Sequence, residues 1–228
     1  MQGVMNGFIQ VGEWITRFAV TNVLWILVNI PVLLVVTSMY MTGSSGLMPF
    51  YIALLMVLGP LLFFPATAAL FASVRDFVMQ KESKSLIVRY FKLFAENYRR
   101  SAAGGVLLTV LWLIWAVDYY YFSGSSVILM FAFLGMVIPL FVFTMNFFVV
   151  LAHFDMPVRK LLRKALLLTF GNIKMTAITF AVSFVIFYVS VNGALFLLLF
   201  FSVSITAFFI FSLFYRYYAR ISGEAVSQ

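Results

Sequence analysis

The sequence predicts an all-α integral membrane protein with six transmembrane helices and no separate water-soluble domain. Three observations carry that expectation. Of 228 residues, 64% are hydrophobic and only 10% charged, whereas soluble domains are about half apolar and about a quarter charged. Mean hydropathy is +1.10. Apolar runs that meet the roughly 20 residues needed to cross a hydrocarbon core of about 30 Å recur along most of the chain.

The first sixteen residues are mixed in polarity and contain Gly3, Gly7, Gly12 and Glu13. They lack the basic start and small-residue cleavage site of a signal peptide, so the first span is expected to stay in the mature protein. Glu13 and Arg17 stand four residues apart, as a helical ion pair requires. Span one is expected over about 18–41, with Asn22, Trp25, Asn29 and Pro31 inside it. Turn formers at 42–46 lead into span two, about 47–74, which holds Gly59-Pro60 and Pro65. That run exceeds one straight crossing and calls for a tilt, a kink or a part lying in the interface.

Residues 75–100 change character, carrying seven of the 15 Lys and Arg. Leu86, Ile87, Tyr90, Phe91 and Phe94 recur at helical spacing, with Lys84, Arg89 and Lys92 off that face. The pattern predicts an amphipathic helix lying on the membrane surface over about 84–98. Span three, about 101–122, ends in three tyrosines beside Asp118, and span four, about 127–152, contains Pro139 and Asn146. A second surface helix is expected over about 156–170, with Asp155 as N-cap and Pro157 in the early turn. Spans five and six follow at about 175–191 and 194–215.

Charge orients these spans. The lead through Arg17 has one cation, residues 75–100 seven, residues 153–174 five and the tail two, while the opposite turns have none. With six spans the four basic segments share one face. The positive-inside rule makes that face cytoplasmic, with both termini inside. The net charge of +8 is thereby read as topology and not as a nucleic-acid footprint. A faint echo links Asn97, Arg99, Ser101 and Ala102 to Asn172, Lys174, Thr176 and Ala177, suggesting two spans plus one surface helix as a repeating unit.

Candidate chemistry is sparse. Cysteine is absent, which removes disulfides and thiolate chemistry. His153 and Asp155 lack companions for a metal site, so neither metal nor cofactor is expected. No phosphate-binding Gly-x-x-x-x-Gly-Lys loop, no Gly-x-Ser-x-Gly and no His-Glu-x-x-His occurs. Carboxylates are missing from mid-span, which argues against proton coupling. The block Pro65-Ala66-Thr67-Ala68-Ala69 admits two readings. It could break a helix and turn the Leu61 and Leu62 carbonyls into a cavity. It could instead be a kink whose small residues allow close packing, bridged by the Thr67 hydroxyl. Asn22, Asn29 and Asn146 could line a polar site or clamp helices together. The cations Lys84, Arg89, Lys92, Arg99, Arg100, Arg159, Lys160, Arg163 and Lys164 should attract anionic lipid at about 1 kcal/mol each. They could equally dock a cytoplasmic partner.

Glu13-Trp14-Ile15-Thr16-Arg17, Asn22-Val23-Leu24-Trp25, Phe64-Pro65-Ala66-Thr67-Ala68-Ala69-Leu70, Val74-Arg75 and the stretch from Tyr90-Phe91 to Asn97-Tyr98 can be read together. Over roughly residues 5–105 they resemble the YesL-like membrane proteins, the family called domain of unknown function 624. The resemblance implies a bacterial cytoplasmic-membrane protein, mostly of Gram-positive organisms, whose genes often neighbour those for carbohydrate uptake and glycoside breakdown. It brings no catalytic residues. About forty residues separate Trp25 from Pro65 here, more than in many relatives, which leaves room for an outward loop and return. The expected function is a non-enzymatic accessory to carbohydrate uptake that binds transporter permease subunits. The alternative is a small-solute or lipid carrier with its site at the Pro60–Thr67 break, and a membrane enzyme ranks third.

Overall fold

Helices form wherever the apolar runs go unbroken and end where turn formers or charge clusters intervene. The computed structural model describes residues 2–43, 46–81, 85–193 and 195–222, and every regular element among them is helical. The elements are α1 (Gln2–Thr42), α2 (Met48–Leu58), α3 (Phe64–Val78), α4 (Leu86–Ser123), α5 (Val127–His153), α6 (Val158–Gly171), α7 (Ile173–Asn192), α8 (Leu195–Phe200) and α9 (Ser202–Ser222). A π-helical turn, Gly59–Phe63, joins α2 to α3. Five stretches are long and apolar enough to cross a membrane: Val11–Thr42, Met48–Val78, Leu86–Ser123, Val127–His153 and Ile173–Asn192. The sixth expected span is divided, because α8 and α9 are separate helices on either side of Phe201.

Two prolines five residues apart explain the wide turn. Pro60 and Pro65 lack N–H groups, so neither can close the usual bond to a carbonyl four residues back. The Phe64 N–H instead reaches the Gly59 carbonyl, five residues back, and the chain stays helical through the turn. The outcome is a π-helical turn where the kink was expected.

The surface helix expected over 84–98 does not exist as a separate element. α4 runs unbroken through it and through span three. Its buried residues are Tyr90, Leu93, Asn97, Ser101, Gly104, Gly105 and Leu108, a stripe at three- and four-residue spacing that crosses the supposed boundary without a phase change. Of the apolar face expected to meet the membrane, Ile87 and Phe91 are exposed, whereas Tyr90 is buried in the bundle. At about 1.5 Å per residue the helix is about 57 Å long, well beyond a hydrocarbon core of about 30 Å. The echo fails at the same point. Asn97 sits inside α4, whereas Asn172 occupies the break between α6 and α7 and accepts the Met175 N–H. A separate helix, α6, stands where the second one was expected, and its stripe of Leu161, Ala165 and Thr169 is buried. Asp155 does not cap it. The N-cap is Pro157, and Asp155 pairs with Arg100 of α4.

Packing concentrates on α3. Ala66, Ala68, Ala69 and Ala72 are at most 1% exposed, and α1, α4, α5 and α9 all contact this helix. Lipid tails are as apolar as leucine, so helices associate through close van der Waals fit, which small residues permit. Gly104 and Gly105 extend that fit to α4. A Cβ on Gly104 would lie 2.2 Å from the ring of Phe147 in α5, and one on Gly105 would lie 2.8 Å from the Cβ of Phe64 in α3. Phe64 packs in turn against Phe148, the two rings tilted and 5.5 Å apart. Gly105→Ala must push the root of the Phe64 side chain aside, and overpacking of this kind costs about 1–3 kcal/mol. Thermal unfolding in detergent is expected to begin several degrees lower in the variant than in the parent.

Candidate functional site

The kink in span two brings one candidate region together. Thr67 Oγ1 donates to the Phe63 carbonyl at 2.7 Å and accepts the indole N–H of Trp25 at 3.0 Å. It therefore bridges the kink and ties it to α1. Beside it lies a cavity of about 340 Å³, walled by Trp25, Phe63 and Thr67, by Phe141 and Met145 of α5, and by residues of α7 and α9. Its hydroxyls are spent on backbone carbonyls: Ser183 donates to Thr179 O and Thr206 to Ser202 O, each at 2.7 Å. The guest-facing surface is thus rings and hydrocarbon. Phe184 and Phe187, at its edge, are more than half exposed, so the cavity opens sideways. Neither Leu61 nor Leu62 lines it, contrary to the broken-helix reading. Pro65 is buried at the start of α3.

The three asparagines separate into distinct roles. Asn22 is fully buried and mends the α8–α9 break. Its amide nitrogen donates to Leu198 O at 3.2 Å and Leu199 O at 2.7 Å, while its oxygen accepts the Val203 and Ser204 N–H groups at 3.1 Å. One side chain supplies the partners that a broken helix leaves without. Asn146 donates to Thr169 Oγ1 at 3.0 Å and so fastens α6 to α5. Asn29 donates to Trp25 O at 2.8 Å within its own helix. The amide oxygens of Asn29 and Asn146 are buried without a hydrogen-bond partner among the described residues.

A second region, at the basic end, was not singled out from sequence. α3 closes with Lys81 N–H on the Asp76 carbonyl and Gln80 at φ 53, a left-handed residue of the kind that ends helices. This reversal sets the start of α4 against the end of α3. Asp76, its side chain 5% exposed, receives two arginine forks. Arg75 reaches Oδ1 through Nε at 3.0 Å and Nη2 at 2.6 Å. Arg89 reaches Oδ2 through Nε at 2.8 Å and Nη2 at 2.6 Å. Arg75 Nη1 also donates to Ala152 O at 2.6 Å, which binds the end of α5 into the cluster. Tyr90, the residue after Arg89 on α4, donates to Ala66 O at 3.0 Å. The sequence signal was available: Asp76 is the first carboxylate after a buried run and has a cation beside it.

The remaining candidate cations are dispersed. Arg100 pairs with Asp155, Lys92 lies 4.0 Å from Glu96, and Lys164 Nζ stands 3.6 Å over the Phe154 ring. Glu13 and Arg17 pair at 3.9 Å as expected. Arg99, Arg159, Lys160 and Arg163 are exposed, and Lys84 lies outside the described residues. His153 packs among the rings of Phe154, Phe214 and Tyr218 at 4.6–5.5 Å. Among the described residues no group of His, Asp and Glu is arranged to hold a metal.

Removing one partner of a buried ion pair strands the other charges and costs about 3–5 kcal/mol. Both arginines retain some exposure, so Asp76→Asn is expected at the lower end of that range. Denaturant or thermal unfolding in detergent checks it, and Arg75→Lys should cost less.

Residues 18–119 match the family described as Protein of unknown function, DUF624, a stretch that includes α3, the Trp25–Thr67 contact and the Asp76 cluster. No solved structure matches the chain. The chain is 26% identical over 189 residues to the "Uncharacterized protein YteU" of Bacillus subtilis (strain 168), with 82% of this chain and 74% of that protein covered.

Proposed function

We propose that the protein is a member of the DUF624 family that acts without enzymatic chemistry as an accessory to carbohydrate uptake in a bacterial cytoplasmic membrane, by docking permease subunits of a transporter. In this reading the five long apolar helices are joined by α8–α9 as a sixth crossing, and the basic end with both termini faces the cytoplasm. The resemblance to the YesL-like proteins supports the setting. The observation that carries the docking is α6. Its buried stripe faces the bundle, while Leu166, Leu167 and Phe170 stay exposed beside Arg159, Lys160 and Arg163. An apolar patch rimmed by charge is the composition of an interaction surface. The chain has no cysteine, so Leu167→Cys provides one clean reporter. The reading expects labelling by an impermeant maleimide only from the cytoplasmic side, and a crosslinker at that position should couple to a permease subunit in native membranes. Labelling from outside overturns the orientation, and crosslinks to lipid alone overturn the docking.

The cavity beside the kink favours a second reading, a carrier whose guest is a lipid chain or another apolar molecule. A polar solute would find few polar groups on those walls, whose hydroxyl hydrogens are already spent on backbone carbonyls. Thr206→Phe fills the space while leaving the helix termini and ion pairs intact. With that variant, transfer of a fluorescent fatty-acid analogue between vesicles should fall roughly tenfold, the effect of about 1.4 kcal/mol of lost contact. Transfer at the parental rate removes the carrier reading.

A further inference from the structure

A second crevice, of about 220 Å³, runs between α7 and α9. It is lined by different residues of both helices from those around the kink cavity. Ile178 and Val182 of α7 face Phe209 and Leu213 of α9 across it, and Arg216 closes one end. Ile178 and Phe209 are about half exposed, so the crevice opens outward along the bundle surface. Arg216 is exposed, and no acidic side chain among the described residues lies within ion-pair distance of it. Four residues back on α9 from Arg216, Ser212 also borders the space. Arg216 stands next to Tyr215, whose ring lies 6.3 Å from that of His153, which places it at the basic end with the Asp76 cluster and the α6 cations.

We propose that this crevice binds one anionic phospholipid, with the phosphate on Arg216 and an acyl chain along Ile178, Val182, Phe209 and Leu213. The proposal rests on α7 and α9 facing lipid with Arg216 at the headgroup level. An acyl chain gains no hydrophobic energy by leaving other chains, so the groove fixes its position and supplies little selectivity. Selectivity comes from the cation. One Lys or Arg near an anionic headgroup contributes enough to change occupancy about fivefold. An arginine with no acidic partner among the described residues, at the mouth of an apolar groove, matches a molecule that carries one negative charge above two hydrocarbon chains.

The test uses the full chain reconstituted in mixed phosphatidylcholine and phosphatidylglycerol vesicles, followed by gentle extraction and native mass spectrometry of bound lipid. Phosphatidylglycerol is expected to be enriched on the parent chain. Arg216→Gln should lower that enrichment about fivefold, Arg216→Lys should restore most of it, and Arg220→Gln, on the same helix but outside the crevice, should leave it unchanged. Excess inorganic phosphate should not displace the lipid. Equal enrichment in Arg216→Gln, an equal loss in Arg220→Gln, or displacement by phosphate overturns the proposal. A spin label on Phe209→Cys separates the two levels of failure. A water-exposed label overturns the lipid-facing placement itself, whereas a lipid-exposed label with an unaffected Arg216→Gln overturns the site alone.

Discussion

Burial of one helix on nearly all sides is the constraint from which the rest of this architecture follows. From Phe64 to Val74 every residue of α3 is buried, and that is possible because four of them are alanines with almost no side chain to place. In hydrocarbon the usual reward for hiding apolar surface is missing, so affinity between helices depends on how closely backbones approach. The alanines of α3 and the paired glycines of α4 allow that approach, and aromatic rings from α3 and α5 fill the holes left open. The same closeness lets side chains reach backbone atoms across helices, as Tyr90 reaches Ala66 and Arg75 reaches Ala152.

Breaks in helices are where such a bundle is most exposed to cost, since an unpaired peptide group in hydrocarbon is expensive. Among the described residues the π turn and the α8–α9 junction are two such breaks, and the chain treats them differently. At the π turn the backbone mends itself, helped by Thr67, because both prolines have already removed their donors. At Phe201 the repair comes from outside, through the single amide of Asn22. Asn22 and Trp25, one helical turn apart on α1, therefore serve the α8–α9 break and the π turn respectively.

Helix class, the apolar runs and the place of the kink were legible from composition and from proline spacing, because those signals are local. The helix of residues 158–171 was legible for the same reason, with charge and apolar residues segregated on opposite faces. What sequence could not reveal was set by partners distant in the chain. The stretch 84–98 has the composition of a surface helix, yet Tyr90, Leu93 and Asn97 are buried in the bundle in phase with Ser101, Gly104 and Leu108, and only that shared stripe shows the helix to be continuous. Asp76 looked like one charge in a cationic segment, because its second arginine lies thirteen residues away across a reversal of the chain. Asn22 was recognisable as a clamp, but the break it clamps is 180 residues further on.

The continuity of α4 has a mechanical consequence. A continuous helix that outreaches the hydrocarbon has no break at which its basic half could fold down onto the bilayer. Any change in its inclination, as a thinner or thicker membrane would impose, swings Arg89 and Arg100 through the same arc. The aspartates they hold, at the end of α3 and in the α5–α6 connection, would be drawn along together, so bilayer thickness and the shape of the basic end are coupled through a single lever.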